Sequence, residues 1–224
     1  MKIIDITSKI PACNYSINRK CRPEAIVFHI TGDSRRSQSV EWFEDPASKV
    51  SAHYIIEKNG DVFMCVHPEH KAYHCGIINQ PTALIYNDKG QLNPNTYTIG
   101  IECVSSGEPL EDGQYAALIQ LTHDLCSIYR IPRDRYHLIG HFELDSVGRK
   151  YDPIASYSVD EVVKTIRELE AVKVTFEEAL KIQVDEGVIN SPEYWRLVCA
   201  TTKNFEQYAI NVSKKIQELK SQIK

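Results

Sequence analysis

From Gly140 to Pro153 the chain reads Gly-His-Phe-Glu-Leu-Asp-Ser-Val-Gly-Arg-Lys-Tyr-Asp-Pro, a loop-forming stretch directly after the strand-like run Tyr136–Ile139. A fold that accepts it must end a strand at His141 and then turn, because Gly148 and Pro153 punctuate the residues beyond. His141 and Asp152 are both good zinc ligands, and a loop of eleven positions is long enough to fold both onto one ion. A third donor is then expected from elsewhere. The apolar, β-rich run Ala25-Ile-Val-Phe-His-Ile-Thr31 carries His29 near its end and reads as a buried strand delivering that donor to a sheet edge. Zinc held by three protein groups keeps a fourth position open, whereas structural zinc is normally closed by four donors, mostly Cys. His29, His141 and Asp152 therefore point to catalysis.

A chain of 224 residues can bury one core of ordinary size with a small appendage. The net charge of -4 carries no electrostatic footprint for nucleic acid, and beyond Thr165 acidic and basic side chains are equal in number. The seven cysteines are odd in number and scattered, with no C-x-x-C pair, and read as reduced packing residues. The opening Met1-Lys-Ile-Ile-Asp-Ile-Thr7 lacks the apolar core of a signal peptide, and no run approaches a membrane span. Synthesis in the cytosol without membrane insertion is the expectation, with a separate release step if the protein acts outside the cell.

Along the chain, residues 1–24 read as irregular polar wrapping, and Ser37–Phe43 as a short helix stopped by Asp45-Pro46. Val50–Ile56 and Asp61–Val66 form a predicted hairpin around Asn59-Gly60. Residues 67–96, rich in His, Pro, Gly and Asn, read as a long surface loop walling a cleft. Tyr97–Val104 is a further strand whose single acid, Glu102, is costly there unless it is paired or faces a site. Apolar spacing predicts a helix from about Glu111 to Tyr129, ended by Pro132, and another from Val159 to about Leu169. Strands interleaved with long helices give an α/β domain over 1–170, a mixed central β-sheet flanked by α-helices. Over 171–224, the capping box Thr175-Phe-Glu-Glu178, Ser191-Pro192 and the spacing of Phe205, Tyr208, Val212, Ile216 and Leu219 predict a small all-helical C-terminal module. Wall binding, homo-oligomerisation and structural bracing are the roles open to it.

His29, Ser51-Ala-His-Tyr54, Ile99-Gly-Ile-Glu102, Gly140-His141 and Arg149-Lys-Tyr-Asp-Pro153 follow one another in an order that resembles zinc-dependent N-acetylmuramoyl-L-alanine amidases of the type 2, peptidoglycan recognition protein-like family. The likeness covers about residues 20–167. It implies hydrolysis of the amide between N-acetylmuramic acid and the first L-Ala of the peptidoglycan stem peptide. It also implies zinc on His29, His141 and Asp152, with Asp152 where other members have Cys. Glu102 matches the family's acid, in place of the Tyr that another branch supplies from the segment where this chain has Ala52, and Lys150 matches a lysine two residues before the last ligand. Ile154, where the family often has Gly, and the loop Phe142–Val147 depart from the pattern. Val188-Ile-Asn-Ser-Pro-Glu-Tyr-Trp195 resembles segments appended to wall hydrolases of Gram-positive bacteria and their phages.

The resemblance thus assigns Glu102 as the base that moves the water proton to the leaving amine, and Lys150 as the cation facing the developing negative charge. His74, in Ala-Tyr-His-Cys-Gly, is placed at the cleft border as a substrate contact, and His53, opposed to Tyr54 by strand alternation, as a structural hydrogen-bonding residue. His67, His70, His123 and His137 read as bystanders. A bacteriolytic endolysin or autolysin acting on the wall, a cytosolic amidase recycling soluble muropeptides, and a non-catalytic peptidoglycan receptor are the three functions compatible with these residues, in that order.

Overall fold

A computed structural model describes residues 3–33 and 36–169, together with Lys181. The chain divides into two units, Met1–Ile166 and Arg167–Lys224. The helices expected over 171–224, and with them any role in wall binding or self-association, lie outside the described residues.

Up to Leu169 the described residues hold eight strands and four α-helices. In chain order they are β1 (Ile3–Asp5), β2 (Tyr15–Ser16), β3 (Ala25–Ile30), α1 (Arg36–Glu44), β4 (Tyr54–Ile56), β5 (Val62–Met64), β6 (Lys71–Ala72), α2 (Leu84–Asp88), β7 (Thr98–Cys103), α3 (Asp112–Tyr129) and β8 (Leu138–Gly140). Residues 159–169 form α4. The sheet order is β1-β5-β4-β7-β3-β8, with β2 and β6 as a separate antiparallel pair. Pairing within the sheet is parallel except between β4 and β5, the predicted hairpin, where Tyr54 faces Met64 and Ile56 faces Val62. The turn needs glycine: Gly60 has φ +86, and a Cβ there would lie 2.6 Å from the Gly113 carbonyl oxygen.

Strand alternation sorts the side chains. Ile26 and Phe28 of β3 and Ile99, Ile101 and Cys103 of β7 pack on one face against Leu118, Leu121 and Leu125 of α3 and Val162 and Ile166 of α4. Each large apolar side chain buried there contributes about 1.5–3 kcal/mol. The intervening residues, Ala25 and Val27 on β3 and Ile139 on β8, face the other side with Cys75, Ile85, Tyr86 and Tyr97. A third apolar cluster joins Ile55, Phe63 and Cys65 to Val40 and Phe43 of α1. By the same alternation His29 on β3, and Thr98, Gly100 and Glu102 on β7, belong to the face away from α3.

Two expectations change. Ile3–Asp5, read as wrapping, adds a parallel edge strand to β5, with Ile3 opposite Val62. The segment 67–96 is not a bare loop, since it holds β6, α2 and a 3-10 turn at Pro94–Thr96. The end of α3 at Tyr129 is as expected, and the cap that closes it is Arg130, left-handed at φ 56 with its N–H on the Cys126 carbonyl, two residues before Pro132.

Candidate metal centre

Parallel strands β3 and β7 place His29 opposite Glu102 in register. On the other side of β3, β8 ends at Gly140 and the chain enters a 3-10 turn, His141–Glu143, so His141 arrives beside His29. The loop then doubles back. The buried Asp145 carboxylate accepts the Gly148 and Val147 N–H groups at 2.7 and 3.2 Å, and Phe142 N–H donates to the Asp152 carbonyl at 2.8 Å. The two ends of the loop are thereby pinned together and Asp152 comes under the end of β3, where the Ile30 N–H donates to its Oδ1 at 2.7 Å.

Three donors converge. His29 Nδ1 lies 2.9 Å from His141 Nδ1, His141 Nδ1 lies 3.0 Å from Asp152 Oδ2, and His29 Nδ1 lies 3.7 Å from the same oxygen. Tetrahedral zinc with bonds of about 2.0–2.2 Å wants donors roughly 3.3–3.5 Å apart, and these separations bracket that value. Among the described residues this trio is the group of His, Cys and acidic side chains able to hold a metal ion.

The protons agree with the distances. His141 Nε2 faces the Cys75 carbonyl at 3.0 Å and must donate to it, which leaves Nδ1 a lone pair. His29 Nε2 faces His74 Nδ1 at 3.1 Å. With the outer atoms occupied, the inner three meet as acceptors, an arrangement that repels unless a cation lies between them. Burial, reinforced by the neighbouring His141, pushes His29 down to about 4, so a metal suits it better than a proton does. Burial opposes charge on Asp152 too; the two imidazoles lower its carboxyl only while one of their protons faces it, and with both inner nitrogens bare a cation between the three groups would take over that role.

The donors line an open cleft of about 360 Å³, together with Glu102, Arg149, Trp42 and Phe43 among others. Glu102 Oε2 is shielded from water and has no hydrogen-bond partner. Burial, with the Asp152 charge second, raises its pKa well above the ordinary carboxylate value. A buried acceptor without a donor is costly and suits a group that awaits a ligand proton.

His29, His141, Asp152 and Glu102 thus come together as the sequence implied. Lys150 and His74 do not take the places expected of them. Lys150 is exposed, its Nζ sits 4.7 Å over the Tyr151 ring, and it does not line the cleft; the residue before it, Arg149, does. His74 borders the cleft, but both its ring nitrogens are engaged, Nδ1 with His29 and Nε2 with the Thr98 hydroxyl at 3.2 Å, so it stands behind a donor and not against a substrate. His53 is structural as expected, its Nδ1 accepting the Gly100 N–H at 2.9 Å. Trp42 went unnoticed in the sequence beyond its helix; it is 54% exposed and walls the cleft.

A mixed sheet that gathers two imidazoles, one carboxylate and an unpartnered acid at its strand ends, in an open cleft, is the layout of a metal-dependent hydrolase. Residues 19–155 match the profile of the N-acetylmuramoyl-L-alanine amidases, and the chain belongs to that family. It is 36% identical over 107 residues to the 1,6-anhydro-N-acetylmuramyl-L-alanine amidase AmpD of Haemophilus influenzae, a match covering 47% of this chain and 52% of that protein. It is 29% identical over 162 residues to N-acetylmuramoyl-L-alanine amidase A of Achromobacter lyticus, covering 62% and 80% respectively. The chain therefore spans about half the length of the Haemophilus relative. In fold it is similar to a crystal structure of an AmpD derivative, with TM-score 0.56 and 22% identity over 73% of this chain and 93% of the other. It is likewise similar to PlyL, with TM-score 0.54 and 19% identity over 74% and 97%.

Proposed function

We propose that the protein hydrolyses the amide between N-acetylmuramic acid and L-Ala in peptidoglycan, with zinc on His29, His141 and Asp152. The observation that carries this reading is the convergence of three lone pairs beside a buried, unpartnered Glu102 oxygen. Zinc held by His29, His141 and Asp152 would supply a Lewis acid beside Glu102. The chain's residues do the rest. Glu102 Oε2 accepts the proton of the attacking water as the new C–O bond forms. The carbonyl π pair moves onto oxygen, which faces the cationic side of the cleft, where Arg149 lies. As the C–N bond breaks, Glu102 returns the proton to the leaving nitrogen, giving a muramic carboxyl group and a free L-Ala amine. Trp42 offers a flat apolar wall for the sugar or peptide.

Within this reaction we favour action on intact wall, as an endolysin or autolysin. What supports it is the helical pattern of 171–224, an appendage that a soluble substrate does not require. Recycling of soluble anhydro-muropeptides is the second reading, and the 36% identity to the Haemophilus AmpD favours it.

Purified protein would be incubated with Gram-positive sacculi and, separately, with soluble anhydro-muropeptides, before and after chelation and with zinc restored. New L-Ala amino termini without new reducing sugars, lost on chelation and regained with zinc, are expected. Cleavage of the soluble fragments alone moves the protein to recycling. Binding of wall without cleavage in zinc-loaded protein makes it a receptor and removes Glu102 from any catalytic role.

A further inference from the structure

Behind His29 a chain of hydrogen bonds runs through His74 and Thr98 to Pro94, with the Cys75 thiol beside it, 3.4 Å from His74 Nδ1. The Thr98 hydroxyl donates its single proton to the Pro94 carbonyl at 2.8 Å, an acceptor that can give nothing back. Toward His74 Nε2, 3.2 Å away, Thr98 Oγ1 can therefore only accept, so the His74 proton sits on Nε2. Nδ1 of His74 is then a lone pair and takes the His29 Nε2 proton across 3.1 Å. That leaves His29 Nδ1 bare, pointing at His141 and Asp152. All of this is buried: Thr98 has no exposure, and His74 and His29 have 6% and 1%.

The strand is cut to fit the ring. Thr98, Gly100 and Glu102 occupy successive positions on one face of β7, and a Cβ on Gly100 would lie 2.5 Å from His74 Cγ. Glycine at 100 makes room for the imidazole that Thr98 orients.

We propose that Thr98 and His74 are positioning residues of the metal centre, a fixed relay from the Pro94 carbonyl that sets the His29 tautomer so that Nδ1 is presented as a ligand. The proposal rests on the zinc reading of the site but is tested separately from turnover. Outer partners that fix a ligating imidazole typically change metal affinity about 10–100-fold when removed.

The experiment uses the 15N-labelled full chain, metal-free and zinc-loaded, at slightly alkaline pH, with long-range 1H–15N correlation to read which nitrogen of each imidazole carries the proton. In the wild-type protein His74 and His29 are expected as Nε2–H tautomers in both states. A His74 proton on Nδ1 overturns the relay without recourse to any variant. Thr98→Val, which keeps the shape and removes the acceptor, is expected to shift the His74 tautomer and to weaken zinc binding by at least about tenfold. Thr98→Ser, which restores the hydroxyl, returns both to wild type. Unchanged tautomers and zinc affinity in Thr98→Val refute the proposal, and so does a Thr98→Ser variant as weak as Thr98→Val. If zinc-loaded wild type shows the expected tautomers but cuts no amide, the amidase reading fails and the relay stands. If wild type binds no zinc, the metal assignment fails and the tautomers alone decide the relay.

Discussion

His29 and His141 meet edge to face with ring centroids 4.5 Å apart, and His67 and His70 meet edge to face at 6.1 Å, so ring contact alone hardly distinguishes the two pairs. Their surroundings do. In the first pair each outer nitrogen is engaged, by Cys75 and His74, and the inner nitrogens converge with a carboxylate. In the second, His67 is 47% exposed in its side chain, its Nδ1 accepts the Glu69 N–H at 3.3 Å, and His70 stacks on Tyr15 at 5.6 Å while its Nδ1 accepts the Asn18 N–H. Those nitrogens answer backbone N–H donors, His67 in solvent and His70 half-buried. Under the zinc reading a histidine serves as a ligand when its far side is fixed and its near side is left without a proton, and burial at the ends of β3 and β8 supplies both conditions here.

The largest effect should come from breaking the buried trio. His29→Ala or Asp152→Ala removes a donor and leaves the others facing one another, so zinc content should fall well below one per chain. Turnover should drop by at least about a thousandfold, because the Lewis acid would take several kcal/mol off the barrier. Metal analysis beside amine release checks this, and a His29→Ala protein that keeps both zinc and activity would place the centre elsewhere.

Glu102→Gln separates chemistry from stability at the same site. Turnover should fall at least about a hundredfold with zinc retained, since the amide cannot take the water proton. The metal-free fold should gain stability. The folded Glu102 carboxyl keeps its proton to a higher pH than the unfolded one, which titrates near about 4.3. Between those two values the folded state holds more protons, so wild-type stability declines as pH rises through that window. A neutral Gln removes the decline. Thermal melts of chelated protein should therefore show the variant a few degrees above wild type at pH 7, about the shift expected of ~1 kcal/mol in a chain of this size, with the gap closing near pH 4. A variant melting below wild type at pH 7 would mean that Glu102 has a stabilising partner.

The candidate metal centre was legible in the sequence because His29, Glu102 and His141 sit at or just beyond strand ends, where neighbouring residues announce the strand, while Asp152 stands in the loop beyond β8, directly before Pro153. What lay between them was less so. Thr98 reads as an ordinary β-former, and its value depends on Pro94 and His74, whose approach only the fold reveals. Ile3–Asp5 escaped notice because a three-residue edge strand with two exposed positions has too little alternation to register. For the Arg149–Lys150 pair, spacing fixes a position along the loop but not the direction in which a side chain leaves it. Within the described structure Arg149 enters the cleft and Lys150 turns to Tyr151. The Arg149 charge also bears on Glu102, where it favours the ionised form.

That difference can be measured. Arg149→Ala should lower kcat by about ten- to a hundredfold with zinc bound, the scale of a lost charge at a developing oxyanion. Lys150→Ala should stay within about threefold of wild type, as befits an exposed side chain. The reverse pattern, with Lys150→Ala crippled and Arg149→Ala active, would restore the role that the family resemblance gave to Lys150.

The smallest effect is expected at the surface pair, and it completes the comparison. His67→Ala and His70→Ala each remove an edge-to-face contact that resembles the one between His29 and His141, but no convergent acceptor depends on either ring. His70→Ala gives up its stacking on Tyr15, worth about 0.5–1.5 kcal/mol at most between two half-buried rings. The His70 carbonyl that anchors Arg19 belongs to the backbone and remains. Zinc stoichiometry and kcat/KM should stay within about twofold of wild type in both variants, with a slight loss of melting temperature in His70→Ala alone. If either variant lost zinc, burial and a fixed outer nitrogen would not be what selects ligands in this protein, and the surface pair would have to be feeding the centre through the Arg19 and His53 side chains that lie between them.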